Sequence, residues 1–80
     1  MPKYLVTFAN VFDHAKFKET KEKYFINMSQ ATVTHYSRTY CEVFTGHMGQ
    51  FLFSTLKQHF PNVKILRKQK LNHKTKYIKL

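Results

Sequence analysis

Residues 3–9, Lys-Tyr-Leu-Val-Thr-Phe-Ala, form a short apolar stretch rich in β-branched and aromatic side chains, and predict a first strand bounded by Pro2 and Asn10. Asn10 or Asp13 can cap a helix, because a side-chain oxygen there accepts a free N–H of the first turn. Phe17, Tyr24, Phe25 and Met28 then recur at helical spacing and predict a helix over 13–28. Lys16, Glu19, Glu22 and Lys23 take its wet face, with Glu19 and Lys23 an i,i+4 pair. Residues 31–45 read as strand throughout. Fifteen residues is long for one strand. A split near Ser37-Arg38 is the alternative, but the Gly or Asn of a tight hairpin is missing there, which favours one long strand. Gly46 and Gly49 break the pattern. Met48, Leu52, Leu56, His59 and Phe60 predict a helix over 48–60, stopped by Pro61-Asn62. Strands over 63–69 and 74–79, joined by a turn at 71–73, complete the chain.

The predicted order is β-α-β-α-β-β. It implies an α+β domain spanning residues 1–80: a single antiparallel or mixed sheet of about four strands, with two helices on one face. Were 31–45 to split, the order would become the ferredoxin-like β-α-β-β-α-β with an added strand. Eighty residues leave no room for a second core. With eight Phe and five Tyr, the chain is too apolar for a disordered tail, and large aromatics supply much of its burial. A homodimer would bury more, and the sequence leaves the oligomeric state open.

Charge changes the picture. The net charge of +10 is uneven: residues 1–42 carry +2, and the rest carry +8 with no acid after Glu42. Such a block repels itself unless a polyanion lies nearby, and nucleic-acid phosphate is the commonest one. Lys64, Arg67, Lys68, Lys70, Lys74, Lys76 and Lys79 of the last two strands are therefore the expected phosphate contacts. The competing expectation is a solvated edge, since Lys also guards sheet edges against pairing. On one long strand, Tyr36, Arg38 and Tyr40 would share a face and could stack on unpaired bases. Glu42 would continue that face and repel phosphate. The partner expected is RNA or DNA, or a nucleic-acid-processing protein complex.

One cysteine, Cys41, excludes an internal disulfide and favours a reducing cell interior. No apolar run is long enough to span a membrane, so no membrane partner is expected. The five histidines form no His-x-His, His-x-x-x-His or Cys-x-x-Cys pair, and neither a metal site nor any other cofactor is expected. His35, Arg38 and Glu42 are the candidates for a metal-independent ribonuclease, with a histidine as proton carrier and the arginine as phosphate stabiliser. Alternation puts His35 on the face opposite to Arg38 and Glu42, so no catalytic residue is assigned with them and a non-enzyme is favoured. A third class is a small phage or mobile-element protein, anti-CRISPR-like or a host-takeover inhibitor, that binds a host protein or ribonucleoprotein.

Overall fold

The computed structural model describes residues 3–71 and 74–80, with the side chains of residues 47, 70 and 71 left aside. The chain runs β1 (Lys3–Thr7), α1 (Val11–Thr20), two short 3-10 turns (Lys21–Tyr24 and Met28–Gln30), β2 (Ala31–His35), β3 (Tyr40–Thr45), a 3-10 turn (His47–Gly49), α2 (Phe53–His59), β4 (Lys64–Leu71) and β5 (Lys74–Lys79). The fold is α+β. The strands form one sheet of five in the order β2-β3-β1-β4-β5, every neighbouring pair antiparallel.

The fifth strand arises because 31–45 is two strands, not the single long one expected. His35 pairs with Cys41, and Tyr36 N–H donates to the Tyr40 carbonyl at 3.3 Å. The turn needs no glycine because Ser37 supplies the missing acceptor. Its Oγ accepts from Thr39 N–H at 3.1 Å and Tyr40 N–H at 3.2 Å. A short hydroxyl side chain thus holds the backbone in a turn that Asn or Gly would otherwise mark.

Both helices lie over one sheet face. The core joins Tyr4, Val6 and Phe8 of β1 and its extension, Cys41 and Val43 of β3, and Val63 and Ile65 around β4 to Phe17 of α1 and Leu56 of α2. Phe8 is the hub, 5.1 Å from Phe17 and 5.3 Å from Phe60 between ring centroids. Helix α1 starts at Val11, two residues before the expected start, and Asn10, one of the two expected caps, caps it: Asn10 Oδ1 accepts the Asp13 N–H at 2.9 Å.

Both helices are shorter than the apolar periodicity predicts, for one shared reason. Phe25 leaves the helical path to form an isolated antiparallel bridge with Phe51. Ile26 N–H donates to the Gln50 carbonyl at 3.0 Å, and Leu52 N–H donates to the Tyr24 carbonyl at 2.8 Å. The Phe25 and Phe51 rings stack at 5.0 Å. This contact ends the first helix region early and delays the second until Phe53. It also brings the Phe51 and Phe53 rings within 5.7 Å of each other. Phe51 is not helical, so both rings pack on Tyr4, at 5.3 and 5.5 Å.

Glycines hold the approach to this bridge. Gly46 N–H donates to the Gln30 carbonyl at 2.7 Å. A Cβ on Gly49 would lie 2.7 Å from that same backbone oxygen, whereas one on Gly46 would first meet the mobile end of the Gln30 side chain at 3.1 Å. Gly49→Ala is therefore expected to cost about 1–3 kcal/mol by overpacking, and Gly46→Ala less. Urea unfolding of the two variants checks the order, and equal midpoints would contradict it.

Candidate nucleic-acid interface

In an antiparallel sheet, directly paired residues point to the same side. Because Tyr4, Val6, Cys41, Val43 and Ile65 face the helices, the alternate positions form the opposite face. The register reads that face as three rows. The first runs Thr32, Phe44, Lys3, Lys68, Tyr77, and the second Thr34, Glu42, Leu5, Leu66, Lys79. The third runs from Tyr40 through Thr7 to Lys64. Every one of these residues is exposed or half-buried, and no described element covers them.

Lysines and aromatic rings are interleaved on this surface. Lys3 Nζ lies 5.9 Å from the centre of the Phe44 ring, a cation–π arrangement across two strands. Tyr36 and Tyr40 stack at 5.9 Å, and Tyr77 is 53% exposed. Phe44 and Tyr77 are three strands apart, about 14 Å at the usual strand spacing. Of the four acids in the chain, Asp13 and Glu19 lie on α1 and Glu22 in the turn after it. Only Glu42 reaches the uncovered face, against Lys3, Lys64, Lys68 and Lys79.

The expected phosphate contacts divide between two sides. Lys64, Lys68 and Lys79 stand on the uncovered face, and the side chain of Lys70 lies outside those described. Arg67 pairs with Tyr4 and Ile78, so it points to the helix side, and Lys74 and Lys76 share that side. The hairpin thus carries charge on both faces rather than in one tract. Past Lys68, β4 pairs only with β5 among the described residues. Tyr36 and Tyr40 do share a face, though they pair across a turn rather than alternate along one strand. Arg38 sits exposed in that turn, away from the row expected for it. Lys3, Phe44 and Tyr77 were missed. Lys3 and Phe44 join the face only through strand pairing, which no local pattern carries.

A second cluster lies on the helix side. His35 and Cys41 are directly paired, and α1 lays His14 over them. His14 Nε2 is 2.8 Å from His35 Nδ1. The ligating atoms of His14, His35 and Cys41 all fall within 4.8 Å of one another. Spacing rules missed this trio because its members come from three elements. His14 is 1% exposed and stacks on Phe8 at 5.0 Å. Burial lowers its pKa, partly offset by the Arg38 backbone carbonyl and reinforced by Lys18. His35 is lowered too, by burial first, then by His14, Lys18 and Lys21. Burial pushes the Cys41 thiol up to about 12. His35 is thus engaged by His14 on the helix side, while Arg38 stands in the exposed turn.

Compared with protein-family models, curated proteins and solved structures, the chain matches none.

A lowered histidine pKa means that the unfolded chain binds more protons than the folded one between the two pKa values. With chelator present, stability is therefore expected to be full above about pH 6.5 and to fall as pH drops through the lowered folded pKa values. Ordinary carboxylates titrate lower, near pH 4, so the window between isolates the histidines. Thermal melts from pH 7.5 to 5 check this, and a His14→Gln/His35→Gln variant should flatten the profile. An equally steep fall in that variant would contradict the assignment. Cys41, fully buried with a raised pKa, is expected to react with thiol reagents only as fast as the protein opens. Native labelling at the unfolded-chain rate would contradict that.

Proposed function

We propose that this chain is a binding module for single-stranded nucleic acid, gripping it on the uncovered face of a ferredoxin-like sheet. The β1-α1-β2-β3-α2-β4 connections and the strand order support that fold reading, with β5 as an added edge strand. The observation that carries the function is the row Phe44, Lys3, Lys68, Tyr77. It sets two neighbouring ammonium groups between two planar rings over a face that no described element covers.

Unpaired bases can lie on Phe44 and Tyr77, and on the Tyr36–Tyr40 pair, because every base has an apolar flat surface. Lys3, Lys64, Lys68 and Lys79 meet the phosphates between them and release condensed counterions. A duplex would hide its bases from these rings, so an unpaired strand fits better. Stacking and phosphate contacts are indifferent to sequence, so the module is expected to discriminate bases weakly. Binding needs no catalytic group. Arg67, Lys74 and Lys76, on the other side of the hairpin, add long-range attraction without direct contact.

Fluorescence anisotropy with labelled oligouridine across a salt series tests this. Phe44→Ala or Tyr77→Ala should each cost about 1–3 kcal/mol of affinity. Lys3→Gln/Lys68→Gln should reduce the salt slope by about 0.7 for each lost phosphate contact. Glu42→Gln should strengthen binding. The triple Arg67→Gln/Lys74→Gln/Lys76→Gln should weaken it much less than the loss of Lys3 and Lys68. If that triple proves the more harmful set, or if the aromatic variants bind unchanged, the uncovered face is not the binding surface.

A further inference from the structure

The histidine and cysteine side chains beneath the β2–β3 hairpin form an arrangement that nucleic-acid binding on the opposite face does not use. The pairing of His35 with Cys41 fixes both on the helix side of the sheet. Helix α1 closes the site from above with His14, held in place by stacking on Phe8. Two ring nitrogens and a sulfur converge, with no ligating atom more than 4.8 Å from another. We infer that His14, His35 and Cys41 bind one thiophilic transition-metal ion, zinc(II), through His14 Nε2, His35 Nδ1 and Cys41 Sγ.

The donor set argues for this ion class. Nitrogen and sulfur ligands suit zinc and are poor partners for magnesium or calcium. Three protein ligands leave a fourth tetrahedral position, and His35, the half-buried member, gives water access to it. In a tetrahedral site the two nitrogens would sit about 3.3 Å apart and each about 3.6 Å from sulfur, given ordinary zinc bond lengths. The 2.8 Å nitrogen pair must open slightly, and the nitrogen–sulfur separations, none above 4.8 Å, must close by about 1 Å at most. Small side-chain rotations supply such movements.

Two further observations fit. Nδ1 of His14 is buried without a hydrogen-bond partner. Ligation through Nε2 would fix the ring proton on Nδ1 and so set the tautomer. Burial also keeps both imidazoles in the neutral form, the form that donates a lone pair. On binding, the Cys41 thiol proton leaves to solvent as the sulfur–zinc bond forms, so uptake releases one proton and is favoured by rising pH. The thiolate also offsets one charge of the ion within a strongly basic protein.

Titration of the reduced full-length chain with cobalt(II), then zinc(II), tests the inference. Cobalt is expected to bind one-to-one, with a sulfur-to-cobalt charge-transfer band and the strong visible bands of tetrahedral coordination. Zinc should displace it and raise the melting temperature by several degrees. Cys41→Ala, a small buried replacement, should abolish the charge-transfer band. His35→Gln should weaken zinc at least tenfold, with circular dichroism confirming that each variant is folded. Absence of the band in wild type overturns the inference. So does a melting temperature unmoved by excess zinc, or binding unchanged in both variants. Oligouridine affinity should be the same with zinc or chelator, so this test and that of the uncovered face fail independently.

Discussion

A sheet of five strands presents two faces, and this short chain has helical material for one. Helices α1 and α2, of ten and seven residues, are spent over Tyr4, Val6, Cys41, Val43 and Ile65. Among the described residues no element covers the opposite face. Side chains there cannot be chosen for burial, and the chain fills them with lysine, threonine, tyrosine and partly covered Phe44, Leu5 and Leu66. Most of what the molecule can do to a partner follows from that one-sided covering. The dry face sets the fold, and the wet face is free to carry charge and rings.

The dry side rests on aromatic contacts that reach across the chain. Phe8 gathers α1 and the segment after α2, and the Phe25–Phe51 bridge ties the end of the first helical region to the start of the second. These contacts compensate for short helices that could not persist alone. They also explain why glycine stands at position 49, where a backbone carbonyl approaches too closely for any Cβ. The same layer buries a polar trio. His14, His35 and Cys41 are costly in an apolar core unless a hydrogen bond, or a bound ion, satisfies them.

What could be read in the sequence followed the range of the interaction responsible. β-Branched and aromatic content marked β1, and alternation along the chain marked β4 and β5, because both are local properties. The Asn10 cap was legible for the same reason. The helix ends were not, since Phe25 and Phe51 stop them through a contact 26 residues apart in the chain. The β2–β3 turn was legible only as the less favoured alternative, because Ser37 performs with a hydroxyl what Gly or Asn does with backbone freedom. Charge count anticipated a basic surface but not its sides. Alternation alone already placed Arg67 opposite Lys64 and Lys68, and only the register joined the latter to Lys3, Phe44 and Tyr77. The metal-ligand trio was invisible to spacing rules because those rules describe ligands on one helix or one loop. Among the described residues no helix is long and apolar enough to cross a membrane.

Lysine footprinting probes the central claim most directly. The protein would be acetylated lightly with and without saturating oligouridine, and modification measured at each lysine by mass spectrometry. Protection is predicted at Lys3, Lys64, Lys68 and Lys79, with Lys16, Lys57, Lys74 and Lys76 modified as in the free protein. Protection centred on the helix side, or spread evenly over both sides, would contradict a binding surface confined to the uncovered face.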